Sequence, residues 1–414
     1  MRVAIIGAGI GGLTLGLLLR QRGVDAQIYD QADELREVGA AVALAANGTR
    51  VLRRVGLGEQ LAEFSVEPTE VIYRHWQSGR RIVAFPMREQ YNKRYGAEFF
   101  AIHRVHLQHI LATAWGAAGL KLNSRLVRLE QRPDDVVRMH FAGGQSAEAD
   151  LVIGADGVHS VVRNWLSGGA HAVAYSGTSG FRGIVAIDAL PSLPDPMSFQ
   201  LWFGPGAHFL SYPITGGLLN FLAVVPGPDP WQHPSWRVDE PAETAAGIFQ
   251  DWHRPVVDMI EAVEQSPRWG LFSLPPLQRW HRGNVVLLGD AAHAMLPHEG
   301  QGANQAIEDA AVLAEFVAGA KRAELSDALR RYEILRRPRT RFIQRSSWIN
   351  SDVFHLADGP EVVRRDARLS DLSAHLDWIH GYDIGRVLTP EADLPYASPL
   401  HRGAGFSRRD AVPS

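Results

Sequence analysis

Short apolar runs recur along the chain, several of them ended by glycine or aspartate. Val3–Ile6, Ala26–Tyr29, residues 151–153 and residues 285–288 read as strands covered on both faces, the habit of a parallel sheet between helices. Helical patterns follow: residues 13–20, 49–54, 57–64, 104 to about 118, and a stretch opening near Gly302 in which Ala306, Ile307, Ala310, Ala311 and Ala314 share one face. Runs at 71–76 and 81–85 flank Ser78-Gly79 and predict a hairpin; residues 90–97 are polar and predict a loop, and 99–103 a strand. Residues 121–131, 136–141 and 147–149 predict a small meander. From 175 to 225 the period becomes two, with runs at 183–187, 197–203, 208–213 and 218–225, which predicts an antiparallel sheet. A proline-rich loop (226–234) and helices within 241–264 come next, and residues 269–274 lead back to the strand at 285–288. An arginine-rich helix spans 326–347, its charge expected to face water. Residues 353–380 are mixed, and 390–414 read as loop and tail.

Three of the strand ends carry candidate chemistry. The first strand enters Gly7-Ala8-Gly9-Ile10-Gly11-Gly12. Gly7 permits a tight turn, Gly9 lets a pyrophosphate approach the backbone, and Gly12 lets the helix pack closely. Asp30, ending the second strand, can accept hydrogen bonds from a ribose. The strand at 151–153 enters Gly154-Ala155-Asp156-Gly157, with Ser160 placed to cap a helix that holds Arg163. The strand at 285–288 enters Gly289-Asp290, then Pro297 and Gly300-Gln301-Gly302. Taken singly, each is equally an ordinary strand–turn–helix unit. Arg104, at a helix start, suits either a phosphate or flavin edge or plain surface. His208 and Tyr212 are four apart in a predicted strand and share a face, as substrate-facing or as core residues. His298 follows Pro297 and faces either a site or solvent; Glu299 beside it either raises its pKa or sits in solvent, and His293 reads as structural.

Composition narrows the field. The 414 residues suffice for two or three packed domains, and 46% apolar with 21% charged residues is ordinary for a globular protein. A net charge of −3 with dispersed cations argues against a nucleic-acid partner. The chain has no cysteine, which excludes disulfides, thiolate metal sites and cysteine catalysis. No metal site is expected. The start, Met1-Arg2 followed by a strand, does not read as a signal peptide, and glycines break residues 3–19 as a membrane span. A cytoplasmic location, no membrane partner, and a monomer or homodimer are the expectations.

The three motifs together resemble the single-component (class A) FAD-dependent aromatic hydroxylases, the salicylate hydroxylase and para-hydroxybenzoate hydroxylase family, over the chain to about His380. The resemblance implies an α/β fold: a Rossmann-like FAD-binding domain with an inserted antiparallel-sheet substrate domain and C-terminal helices. Residues 1–70, 99–170 and 275–345 would form the first, 71–98 and 171–274 the second, and 346–414 the helices and tail. It implies that Gly7, Gly9, Gly12 and Asp30 bind the adenosine half of FAD and that Arg36 and Arg104 contact FAD. Asp156 and Arg163 would touch FAD and the reduced nicotinamide. Gly289 and Asp290 would hold the ribitol, Gly302, Ala303 and Asn304 would offer N–H groups to the flavin, and Pro297 would sit beside the reacting carbon. The phrase His208-Phe209-Leu210-Ser211-Tyr212-Pro213 is similar to that of 3-hydroxybenzoate 6-hydroxylases, and Pro297-His298 to that of 6-hydroxynicotinate 3-monooxygenases; both imply substrate-site residues. Departures are Asp30 where Glu is usual, Ala41 for Gly, and Ala45-Ala46 for Ser-Pro.

The implied reaction uses NADH or NADPH and O2 to hydroxylate a small phenolic or hydroxylated heteroaromatic ring through a flavin C4a-hydroperoxide. The rival readings are a flavin dehydrogenase or reductase of the same fold without oxygen insertion, and a non-catalytic FAD-binding module. The segment W-x-W-x-I-P of flavin halogenases is absent from the sequence.

Overall fold

The computed structural model describes residues 1–35, 41–169, 173–233, 235–370 and 372–387. Arg36 and the expected tail lie outside these described residues.

A six-stranded sheet runs in the order His281–Arg282, Val285–Leu287, Leu151–Gly154, Val3–Ile6, Ala26–Tyr29, Leu120–Lys121. All neighbours are parallel except the first pair. Its central strands are apolar because both faces are covered, and their side chains join one large core with the helices Ile10–Gln21 and Gly302–Ala318. Register decides where the chemistry goes. Ile6 lies beside both Gly154 and Tyr29, and Gly154 beside Leu287. The strands therefore end level, and the turns carrying Gly7, Asp30, Asp156 and Asp290 emerge along one edge, the place where open α/β sheets bind ligands.

A second, eight-stranded sheet is ordered Arg237–Val238, Arg268–Ser273, Ala174–Ala186, Leu218–Pro226, Ala207–Ile214, Phe199–Gly204, Glu70–His75, Arg81–Pro86. It is antiparallel except that the hairpin strand Glu70–His75 pairs in parallel with Phe199–Gly204. Alternation gives it two unlike faces. Phe181, Phe209, Phe221 and Ala223 pack with Phe249 and Met259 from the helices Ala242–Phe249 and Arg254–Glu261 and with Trp252 from the turn between them. The opposite face bears His208, Leu210, Tyr212, Leu222 and Val224, and meets Ala101 and Leu296 of the first unit.

Two sequence expectations change. Residues 90–97 are not a loop: Glu89–Tyr95 is a helix, and Tyr91 and Tyr95, four apart, bury its one apolar edge. The arginine-rich stretch is the helix Leu325–Phe354, but its charge is not simply a solvated face, since Arg336 and Arg339 are buried against carboxylates. Helices Pro360–Leu369 and Leu372–His380 follow. Among the described residues no helix is long and apolar enough to cross a membrane.

Candidate active site

The glycine loop is built by close approach. At Gly7, φ is +109°, and a Cβ there would stand 2.2 Å from the Ala155 carbonyl oxygen; at Gly12 it would stand 2.1 Å from that of Gly7. Gly9 differs: apart from its own chain neighbours, no atom of the described residues lies within 4 Å of its missing Cβ. It precedes a helix whose N-terminus has no side-chain cap, leaving N–H groups for an outside acceptor. Asp30 accepts hydrogen bonds from Ala8 N–H at 2.6 Å and Ala32 N–H at 2.9 Å, so part of its capacity fastens the loop. Gln108, unnoticed in the sequence, donates to the Ala8 carbonyl at 3.2 Å. It belongs to the helix Arg104–Trp115, which the half-buried Arg104 opens.

The second turn is occupied by its own structure. Asp156 accepts from Ser160 Oγ (2.5 Å), Val161 N–H (2.8 Å) and Val162 N–H (3.1 Å), anchoring the helix Val161–Ser167; burial nonetheless pushes its pKa up. Ser160 caps that helix through Arg163 N–H, as its position implied. Arg163 is 3% exposed and donates to the Val158 carbonyl (2.7 Å) and, across the edge, to the Ala291 carbonyl (3.2 Å). Its guanidinium thus braces the second turn against the third.

In the third turn Asp290 is exposed at the start of the short helix Asp290–His293, and its carboxylate accepts no hydrogen bond among the described residues. The turn is held from behind: Asp309 accepts from Gly289 N–H (3.0 Å) and pairs with His293 Nε2 (2.5 Å). Arg336 bonds Asp309 at 2.7 Å and also pairs with Glu308, which Arg339 grips at 2.7 and 2.8 Å. The helix Gly302–Ala318 closes its first backbone bond at Gln305 N–H to Gln301, so the N–H groups of Gly302, Ala303 and Asn304 have no acceptor within the described protein. Apart from its chain neighbours and its own helix backbone, nothing among the described residues lies within 4 Å of a Cβ at Gly302. The Asn304 side chain is spent inside, accepting from Ala45 N–H and donating to the Ala43 and Gly300 carbonyls, each at 3.0 Å. Open backbone at Gly9 and Gly302, two helix N-termini with unclaimed N–H groups and an unclaimed carboxylate at Asp290 form a cradle that fits FAD.

Above that edge, two residues that the sequence offered as alternatives come together. The rings of His208 and His298 stand 4.9 Å apart, nearly perpendicular. His208 Nδ1 lies 2.8 Å from Nε2 of His355, the residue ending the long helix, which sequence reading missed. Both ring nitrogens of His298 are shut away from solvent and have no hydrogen-bond partner among the described residues. Burial lowers all three pKa values: His208 well below its ordinary value, His298 to about 3, His355 to about 4. The attraction of Glu299 for a protonated His298 is outweighed. Glu299 is not in solvent either, for Ser346, Asn350 (2.9 Å) and His375 (2.9 Å) surround it. The three rings are neutral, each with one N–H donor and one acceptor nitrogen, rather than ready bases, and among the described residues no His, Asp or Glu cluster is arranged to hold a metal ion. Tyr212 stacks on Phe199 at 4.8 Å, and burial raises the pKa of its phenol, so it is a neutral donor. Pro297 opens the single turn Pro297–Glu299 that carries His298.

A family model described as "FAD binding domain" matches residues 1–347. Over 403 residues the chain is 40% identical to a 3-amino-4-hydroxybenzoate 2-monooxygenase of Streptomyces cremeus, covering 97% of this chain and 98% of that protein. It is 34% identical over 406 residues to a 6-hydroxynicotinate 3-monooxygenase of Bordetella bronchiseptica, covering 97% of each. Among solved structures, Klebsiella pneumoniae HpxO complexed with FAD and uric acid superposes with a TM-score of 0.80 at 29% identity, covering 94% of this chain and 97% of that one. A salicylate hydroxylase substrate complex superposes with a TM-score of 0.82 at 27% identity, covering 95% and 98%.

Proposed function

The chain belongs to the FAD-binding family of class A aromatic hydroxylases, and from that premise we propose how its own residues hold cofactor and substrate. It is an FAD-dependent monooxygenase that uses NAD(P)H and O2 to hydroxylate a phenolic or hydroxylated heteroaromatic ring. Bound FAD supplies electron transfer from the nicotinamide to oxygen. Gly9 and the helix behind it receive the pyrophosphate; Asp290 accepts from ribitol hydroxyls. The N–H groups of Gly302, Ala303 and Asn304, at the positive end of a 17-residue helix, stabilise negative charge on the flavin.

The observation that carries the substrate reading is the pair His208–His298. A buried imidazole with both nitrogens unpartnered is costly unless an outside group completes it. A ring hydroxyl is such a group: it donates to His298, and the ring becomes more electron-rich as the proton is drawn away. His208 faces His298, and its Nδ1 passes the polarisation to His355, which is half-buried. Leu210 and Leu222 on the face of the second sheet, with Leu296 of the first unit packed against them, exclude water.

The test is oxygen incorporation from isotopically labelled O2 by FAD-loaded protein with NADH or NADPH, offered 3-amino-4-hydroxybenzoate, 6-hydroxynicotinate or salicylate. One labelled oxygen per product is expected. Nicotinamide oxidation that puts no label into any ring would overturn the assignment in favour of a reductase.

A further inference from the structure

The second sheet carries a charge that no group of the described protein answers. Arg182 pairs with Leu222, which pairs with Leu210, so these three form one row across three strands. Alternation therefore places Arg182 on the face of Leu210, Tyr212 and His208, while Phe181 and Val185 enter the helix-covered core. Its side chain makes no hydrogen bond or ion pair among the described residues, and its Nε is closed off from solvent without a partner. Trp269 stands 5.9 Å from the guanidinium carbon. The ionisable groups acting on it are Tyr212, whose phenol burial keeps neutral, and Arg104, another cation.

Other buried arginines are treated differently. Arg336 and Arg339 meet Glu308 and Asp309, Arg163 meets two carbonyls, and Arg74 meets Gln200, the Gly79 carbonyl and Asp195. A guanidinium keeps its proton under any folding condition, so lack of a partner cannot be relieved by neutralisation. Among the described residues no anion answers this charge, and an anionic ligand would. Between Arg182 and the histidine pair the face is aliphatic, formed by Leu210, Leu222 and Val224. Cation at one end, apolar floor, and proton acceptors at the other describe a flat ring bearing an anionic group and a hydroxyl.

We propose that Arg182 anchors the substrate's carboxylate, making this enzyme selective for hydroxylated aromatic acids over the corresponding neutral phenols. The inference rests on the hydroxylase reading above and names the substrate class within it. An anion of the cofactor is the other source of the same chemistry, and the experiment separates the two.

The probes are 3-amino-4-hydroxybenzoate and 2-aminophenol, the same ring without its carboxylate. Their binding to FAD-loaded wild type, Arg182→Gln and Arg182→Lys is followed by the perturbation of flavin absorbance, with FAD affinity measured separately by titration of the apoprotein. Wild type should prefer the acid. Arg182→Gln should bind the acid about 10- to 100-fold more weakly, change little toward 2-aminophenol and keep its FAD affinity, and Arg182→Lys should recover part of the loss. Equal weakening toward both probes, or undiminished binding of the acid, overturns the anchor. Loss of FAD affinity with unchanged preference between the probes assigns Arg182 to the cofactor and likewise overturns it. Wild type that hydroxylates both rings without preferring the acid defeats the anchor and leaves the hydroxylase reading standing. Wild type that binds and oxidises neither ring, nor any hydroxylated ring, defeats that reading and the anchor with it.

Discussion

His298 and His208 are the residues at which burial decides chemistry. With its pKa lowered to about 3, His298 is uncharged at neutral pH, so both nitrogens seek partners without bringing a cation near Arg182. His208 uses one nitrogen on His355 and is held in orientation by it. The two rings are in contact, and on the proposed reading they face one substrate, so their effects should not add. His298→Asn and His208→Asn should each lower hydroxylated product per nicotinamide oxidised, with hydroxylation slowed about tenfold or more. The double variant should be scarcely worse than the worse single one, and His355→Asn should resemble His208→Asn. Nicotinamide oxidation in the presence of an aromatic ligand should continue in all of them. The check is product formed against nicotinamide consumed and oxygen taken up. Normal coupling in His298→Asn would remove the hydroxyl-acceptor role, and strictly multiplicative losses in the double variant would mean the rings act separately.

At the scale of elements, the third turn owes its shape to a helix behind it. Asp309 holds Gly289 and His293, and Arg336 and Arg339 neutralise the Asp309–Glu308 pair inside the core. Together they pull the pKa of Glu308 down to about 2 despite burial. Asp309→Asn keeps the shape but leaves Arg336 and His293 short of a charge, which should destabilise by about 3–5 kcal/mol. It should also weaken FAD binding, because Asp290 rides on the turn that Asp309 fixes. Thermal unfolding and FAD titration test both; unchanged FAD affinity in a destabilised variant would show that the turn holds itself. This network also shows what was legible in the sequence and what was not. The strand ends at Gly7, Asp156 and Asp290 could be read because an apolar run broken by glycine and aspartate is a local signal. The hairpin at residues 70–86 and the strands from 199 to 226 were readable from period-two alternation. Glu308-Asp309 did leave a trace, two acids within an alanine-rich apolar stripe, but their partners lie a whole helix away. Arg182 was hidden because its strand, Ala174–Ala186, is rich in Gly, Ser and Thr and slips register between Tyr175 and Ser179, which blurs the alternation. His355 carries no local signal, since only tertiary folding brings the end of the long helix to His208.

Across the whole molecule, neutral histidines sit where separate parts of the chain meet. His208 belongs to the second sheet, His298 to the loop before the flavin-facing helix, and His355 to the end of the long helix. His380, in a C-terminal helix, hydrogen-bonds Tyr91, whose hydroxyl accepts from Ala46 N–H beside the cradle. Its pKa too is lowered to about 3, first by burial. Each of these groups binds a proton less readily folded than unfolded. Below the ordinary histidine pKa of about 6.5 the unfolded chain gains protons that the folded one refuses, so stability falls as pH falls. The loss begins near pH 6.5 and continues toward pH 3 to 4, where the folded groups would themselves titrate. For each such histidine the slope approaches about 1.4 kcal/mol per pH unit. Carboxylates with lowered pKa, Glu308 and Glu333 among them, add to the loss only at lower pH, below about 4.5. The window from pH 6.5 to 5 therefore isolates the histidines. Thermal unfolding should be steady from pH 8 to 7 and then decline steeply to pH 5. His380→Asn and His298→Asn should each be less stable at pH 8 yet show a shallower decline, because one proton fewer is taken up on unfolding. If both variants decline as steeply as wild type between pH 6.5 and 5, the buried rings are not what links the junctions of this fold to pH.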